Sequence, residues 1–523
     1  MKRTLPTLAL ILTLITACAP KAVTTPETEL LSASGSTSTP VTVLAPTATP
    51  TAQQENSAGP GKTPKPGKTP KPGKTPGAAA SGTKKPKDQN QAAGTMPENP
   101  NFIAPEIAGR PTNSSITLNI IPAVAMQVWY EYGTSSGNYT QKTDPQNASA
   151  GQPLETLING LQAGTRYYYR LNYNGQSGNE GTFSTQPAPG GSFSFAIQGD
   201  SHPERLGRQF DPALYTRTLQ SAATAQPDFY MTIGDDFSVD ALKSVTPETV
   251  SQVYLRQRQW LAMVGAPVFL VNGNHEQAAL ANLDGTANNV AVWAQNTRNA
   301  YFPQPAPDAF YSGDSEAVEF IGQLRDYYAF TWGDALFVVI DPYWHSEQTV
   351  DNQFGAGSGA KPKRDLWNNT LGDVQYQWFK QTLENSTAKY KFVFTHHVLG
   401  TGRGGVELAG GYEWGDAQGL AAHRPKWDKT IHQLMVDNHV TIFFQGHDHL
   451  FARQELDGVI YQTLPEPANP EYTIENQQAY TSGDIFPNSG HVRVSVSPSA
   501  VTVTYIRSYL EKPDETAFSY SIP

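Results

Sequence analysis

Five short motifs along this chain carry the side chains best suited to binding cations. They are Gln198-Gly199-Asp200-Ser201-His202, Gly234-Asp235-Asp236-Phe237, Gly273-Asn274-His275-Glu276, Thr395-His396-His397 and Gly446-His447-Asp448-His449. Six of the 11 histidines fall within them. Neutral imidazoles and carboxylates are the ligands that hold zinc, iron or manganese. A carboxylate has two oxygens, so one aspartate can bridge two cations. His447 and His449, two apart, can reach different cations if the chain turns between them. The glycine in four of the five sets permits a tight turn that aims the next side chain inward. One Gly-Asp pair or one histidine alone is an ordinary turn or surface residue; five such motifs in this order make a metal-site constellation.

Each motif follows a short apolar run. Phe193–Gln198, Asp228–Ile233, Pro267–Val271, Lys391–Phe394 and Val440–Phe444 suit buried strands, as does Ala335–Ile340. Open α/β sheets bind ligands beyond the carboxyl ends of their strands, so all five motifs can meet in one cleft. Helical stretches alternate with the runs. Thr246-Pro247-Glu248 is an N-cap followed by proline at the first helical position, and Val250, Val253, Tyr254, Trp260 and Leu261 fall near one face. Residues from Asp373 onward and Lys426–Asn438 read as further helices, and Val492–Val496 with Val501–Ile506 as a hairpin. A layered α/β domain is expected over 190–510, with a C-terminal tail at 511–523. Residues 101–187 read as all-β, with strands at Ser115–Ile121, Met126–Tyr132, Leu154–Leu161 and Tyr167–Leu171 between turn clusters.

The beginning of the chain is different in kind. All 22 Phe, 9 Trp and 24 Tyr lie beyond residue 101, and a segment this poor in apolar surface cannot offset the entropy of ordering. Residues 18–100 are therefore expected to be a disordered Pro/Thr/Lys-rich tether, which includes the repeat Gly61-Lys62-Thr63-Pro64-Lys65-Pro66. Residues 1–17 have the plan of a secretory signal: Lys2 and Arg3, then the apolar run Leu5–Ala17, too short to span a membrane. Ile15-Thr16-Ala17-Cys18 resembles a bacterial lipoprotein cleavage box. That resemblance implies lipidation of Cys18 and an exported, membrane-anchored lipoprotein facing the extracytoplasmic side. Cys18 is the only cysteine, so no disulfide forms within one chain. Net charge is −10; the eight lysines of residues 61–87 leave −18 for the rest. Clustered Lys and Arg are what polyanions need, so no nucleic-acid-binding surface is expected on the folded part.

The five motifs resemble the signature of the calcineurin-like metallophosphoesterases. The stretch Leu157-Ile158-Asn159-Gly160-Leu161-Gln162-Ala163-Gly164-Thr165-Arg166-Tyr167-Tyr168-Tyr169-Arg170, with Gly181–Thr185, resembles a fibronectin type III domain. Together they make the chain similar to bacterial relatives of the purple acid phosphatases. The resemblance implies an all-β fibronectin III-like sandwich at 101–187, followed by a four-layer α/β/β/α metallophosphoesterase domain.

By the same resemblance Asp200, His202 and His449 would hold a first metal, with Asp235 bridging. Asn274, His396 and His447 would complete a second. His275 would protonate the leaving group or stabilise the transition state, oriented by an acidic neighbour. His396 is expected to be the ligand of its pair because family ligands usually stand first after the strand. The implied cofactors are two divalent or trivalent transition metal ions, Fe, Zn or Mn, about 3.5–4 Å apart and sharing a hydroxide that attacks phosphorus in line. In the purple enzymes a glycine stands where His202 is and a metal-binding tyrosine where Phe237 is, so a tyrosinate–ferric colour is not expected.

His397 and Arg403 are candidate substrate-binding residues. Trp293, Tyr301, Phe302, Phe310, Tyr311, Tyr343 and Trp344 are candidates to line the cleft. The expected activity is an acid phosphatase-like hydrolysis of small extracellular phosphomonoesters. Phosphodiesters are the alternative on the same site, and a non-catalytic surface-binding lipoprotein is the alternative of a different class.

Overall fold

A computed structural model of the protein describes residues 99–350, 365–398 and 402–523. The expected signal, Cys18 and the tether up to residue 98 lie outside the described residues. No helix among those described is long and apolar enough to cross a membrane.

Residues 102–184 form the expected all-β unit. Phe102–Gly109, Ile116–Pro122 and Leu154–Ile158 pair antiparallel in one sheet, and Met126–Gly133 with Arg166–Tyr173 centre another. Alternation sends Val128, Tyr130, Tyr169 and Leu171 inward, where they share one core with Ile116, Leu118 and Ile120 of the other sheet.

Two larger sheets follow. The first runs Val268–Leu270, Phe229–Thr232, Phe193–Gln198, Gly490–Val496, Val501–Arg507, Glu515–Ile522, with the first three strands parallel. In the second, Ala335–Val339, Tyr390–Phe394, Ile442–Gln445 and Val459–Thr463 are parallel neighbours, flanked by antiparallel strands. Successive side chains leave a strand on opposite faces, and both faces here are covered, which explains the uninterrupted apolar runs. Phe195, Phe229 and Met231 meet Phe337, Phe392 and Phe444 in a core shared by the two sheets. Ala196, Tyr230 and Val268 point the other way, under helices α1 (Pro212–Thr224), α2 (Pro247–Leu261) and α3 (Val290–Tyr301). Leu336, Val338 and Val393 likewise pack beneath α4 (Gly372–Asn385) and the later helices α5 (Tyr412–Gly415), α6 (Ala417–His423) and α7 (Ile431–Asp437).

Local signals place α2 as expected: Thr246 caps it by accepting the Thr249 N–H at 3.2 Å. Two expectations are corrected. The helix read over Lys426–Asn438 begins only at Ile431, because Thr430 takes the cap by accepting the Gln433 N–H. The tail read at 511–523 is largely a strand: Glu515–Ile522 pairs with Val501–Arg507, and Phe518, Tyr520 and Ile522 pack against the inter-sheet core.

Candidate metal centre

The parallel strands of both sheets deliver their carboxyl ends to one place. Phe193–Gln198, Phe229–Thr232 and Val268–Leu270 lead to Asp200, His202, Asp235 and Asn274 from the first sheet; Tyr390–Phe394 and Ile442–Gln445 lead to His396, His447 and His449 from the second. All seven are buried. The turns that aim them are unusual. His202, Asp235, His447 and His449 all have positive φ, between 45° and 67°, a conformation that costs a non-glycine residue roughly 1 kcal/mol or more and is held only where the surroundings enforce it. The left-handed residues on either side of Asp448 turn the two histidines apart, as a pair serving two sites requires. Among the preceding glycines, Gly234 has φ +101° and Gly446 is needed for space, since a Cβ there would stand 2.5 Å from Asp200 Oδ1.

Two cradles of acceptor atoms result. Asp200 Oδ1 accepts the His447 backbone N–H at 2.8 Å, while Oδ2 is buried without a hydrogen-bond partner. His449 Nε2 lies 3.1 Å and His202 Nε2 3.6 Å from that oxygen, and the two ring nitrogens are 3.1 Å apart. The outer nitrogens face carboxylates: His202 Nδ1 is 2.9 Å from Glu204, and His449 Nδ1 is 3.2 Å from Glu466 and 3.3 Å from Glu475. Outer protons directed to those carboxylates leave two inner lone pairs pointing at each other and at an anion.

The second cradle repeats the pattern. His396 Nδ1 donates to the Ile233 carbonyl at 2.8 Å, and its Nε2 meets Asp235 Oδ2 at 3.1 Å, Asn274 Oδ1 at 3.0 Å and His447 Nδ1 at 3.2 Å. Asp235 Oδ1 accepts the His275 N–H at 2.9 Å, so its Oδ2, also 3.8 Å from His202 Nε2, is the oxygen that faces both cradles. Lone pairs gathered this closely repel unless a cation lies between them. The residues therefore fit metal ions: Asp200, His202 and His449 form one group that could hold a cation, Asp200, Asp235 and His396 a second, and His396, His397 and His447 a third, with Asn274 Oδ1 3.0 Å from His396 Nε2. Asp236, next to Asp235, faces away and accepts from Gln198 and Ser201.

His275 stands at the rim. Its Nε2 is 3.7 Å from Asp235 Oδ2, and its Nδ1 lies 2.9 Å from Asp240. Burial alone would depress this imidazole, but the Asp235 and Asp240 carboxylates outweigh it and raise its pKa to about 9. The expected acidic neighbour is thus Asp240, not the adjacent Glu276, which caps the turns by accepting the Asp236, Phe237 and Gly273 N–H groups. His397 stacks on His447 at 4.5 Å and its Nδ1 lies 3.2 Å from the Tyr343 hydroxyl.

Other candidates are placed elsewhere. Arg403 pairs at 3.4 Å with Asp448, whose carboxylate also receives the Gly404 N–H and the Tyr480 hydroxyl. Tyr301, Phe302, Tyr311 and Trp344 belong to the cores, with Phe310 and Trp293 packed against them; of the aromatics expected in the cleft, Tyr343 touches the site, through His397. Phe237 stacks on Tyr254 at 4.2 Å in the core under α2. Asp240, Glu204, Glu466 and Glu475 are functional neighbours that the motifs do not point to. Glu466 carries a usable signal, since it follows the strand Val459–Thr463 just as the ligands follow theirs.

Comparison with known proteins gives a consistent picture. Residues 193–451 match the calcineurin-like phosphoesterase family. Purple acid phosphatase 23 of Arabidopsis thaliana is 23% identical over 389 residues, which cover 67% of this chain and 70% of that one. The solved structure of PhoD superposes with a TM-score of 0.60 at 16% identity, covering 82% of this chain and 91% of that chain; at this identity the likeness is one of fold.

Proposed function

We propose that this protein, whose residues 193–451 form a calcineurin-like phosphoesterase domain, is a dimetal phosphomonoesterase acting on small phosphate esters outside the cytoplasm. The observation that carries the reading is the double cradle: seven buried side chains from five strand ends present their lone pairs to one another around Asp235. The purple acid phosphatase relative supports phosphomonoesters over diesters as the substrate class. The apolar run closing on Cys18 supports export and lipid anchoring. On the same reading the two covered sheets make up the four-layer arrangement, and residues 101–187 are a fibronectin-like accessory domain.

When bound, the two cations supply Lewis acidity and lower the pKa of water toward ~7. The protein supplies geometry and a proton. Asp200 and Asp235 each have one oxygen pinned by a backbone N–H, so the other cannot swing away from the cradle. Glu204, Glu466 and the Ile233 carbonyl hold the imidazoles in the orientation that turns their inner lone pairs to the site. His275, with Asp240 behind it, is placed to give a proton at Nε2 to the departing ester oxygen.

The test is nitrophenol release from mono- and bis-nitrophenyl phosphate by protein loaded with Mn or Zn, with Asp235→Asn as the control. Monoester turnover that the substitution abolishes together with bound metal supports the proposal. Turnover confined to the diester would replace it with a phosphodiesterase.

A further inference from the structure

Around the first cradle runs a chain of contacts that metal binding alone does not require. Glu204 Oε1 accepts from His202 Nδ1 at 2.9 Å and from Arg205 Nε at 3.1 Å. Arg205 Nη1 donates to Gln209 Oε1 at 2.5 Å, Gln209 Nε2 donates to Glu475, and Glu475 lies 3.3 Å from His449 Nδ1. The outer nitrogens of two ligand imidazoles are thereby joined through one guanidinium. Its backbone is fixed as well: the Arg205 N–H donates to the His202 carbonyl at 3.0 Å, and its carbonyl accepts from Arg208 at 3.1 Å and Phe210 at 3.3 Å.

With Nε and Nη1 engaged on this wall, Nη2 is turned toward His275, 3.5 Å from Nε2. That nitrogen is the one 3.7 Å from Asp235 Oδ2. The Arg205 side chain is 21% exposed, and the His275 side chain beside it 18%. A guanidinium presents a planar set of donors that matches phosphate oxygens, and one held in advance loses little freedom on binding.

We propose that Arg205 is a substrate-binding residue that takes the anionic oxygens of the phosphoryl group and so selects a dianionic monoester over a monoanionic diester. This rests on the phosphoesterase reading above. A monoester offers the guanidinium a second charge and unblocked oxygens, whereas a diester puts an alkyl or aryl group on one of them.

The experiment uses the full chain loaded with Mn or Zn, as wild type, Arg205→Met and Arg205→Lys. Metal content is measured, inorganic phosphate is titrated calorimetrically, and kcat/KM is determined for mono- and bis-nitrophenyl phosphate. In Arg205→Met, metal content should be unchanged and phosphate bound roughly tenfold more weakly or worse. Monoester kcat/KM should fall about 30-fold or more while the diester value changes less than about threefold, with Arg205→Lys between. Equal losses on both esters, or phosphate bound as tightly as by wild type, would overturn the assignment. So would loss of metal from Arg205→Met, which would make the residue a strut for His202. A wild type that turns over neither ester would reject the phosphoesterase reading, while the phosphate titration would still decide whether Arg205 binds the anion.

Discussion

Replacing Arg258 with methionine should loosen the join between the N-terminal β-unit and the phosphoesterase domain. Arg258 lies on α2 and is fully buried. Its Nε donates to the Pro105 carbonyl at 2.7 Å, and Nη1 and Nη2 donate to the Asn119 side-chain and backbone oxygens, each at 2.6 Å. Nη1 also donates to the Tyr301 carbonyl at the end of α3. One side chain thus ties two strands of the β-unit to two helices of the catalytic domain. Methionine keeps the length but supplies no donor, leaving buried acceptors that each cost about 1–3 kcal/mol when unpaired. Glu106, half-buried and 2.5 Å from the Tyr130 hydroxyl, also loses the positive charge that favours its ionised form. Partial relaxation puts the total near the 3–5 kcal/mol typical of removing one partner from a buried charged cluster. With a urea dependence of about 3 kcal/mol/M, the midpoint should drop by on the order of 1 M. Tryptophan fluorescence follows it, and Arg258→Lys, which retains charge but not the planar fork, should fall between. A methionine variant within about 0.5 kcal/mol of wild type would sink the idea, because the carbonyls would then be satisfied some other way and the β-unit would be a mere appendage.

Other expectations concern the rim and the response to acid. His275→Asn should lower kcat by roughly 10²–10⁴ with metal content intact, and Asp240→Asn should lower it less; metal loss from either would show that they hold the cradle rather than move a proton. His491 is fully buried, and burial drives its pKa down to about 4, ahead of opposing influence from Asp514. Neutral in the fold, it takes up a proton below about pH 6.5 once unfolded. Its contribution is therefore complete above pH ~6.5 and is lost as pH falls toward 4, by roughly 3 kcal/mol. Urea midpoints at pH 7 and 4.5 should differ less for His491→Leu than for wild type, and equal differences would discount the residue.

Much of the fold and of the metal centre is legible in the amino-acid sequence. Apolar runs, turn glycines and the Thr246-Pro247 cap are local signals, written within a few residues of where they act. They locate the five strands, α2 and the seven cradle residues, because a ligand that must sit at a strand's carboxyl end is adjacent in sequence to the run that makes the strand. Where a neighbouring cap competes, as Thr430 does for α7, the boundary shifts. Glu515–Ile522 does carry a local signal, Phe518, Tyr520 and Ile522 alternating with Ser519 and Ser521, and it pairs as a strand with Val501–Arg507.

Relations between distant residues are not written locally. That three motifs come from one sheet and two from the other depends on how the sheets face, through a core of phenylalanines whose partners are scattered over more than 200 positions. Asp240 behind His275, Glu466 and Glu475 behind His449, and Arg258 across the domain seam are pairings across 35, 17, 26 and as many as 153 residues. A buried charge finds its partner wherever packing brings one, and no periodicity encodes that distance. The kinds of side chain suited to holding cations belong to the sequence; the atoms that orient them, and the guanidinium set beside them, come into being only when the chain closes.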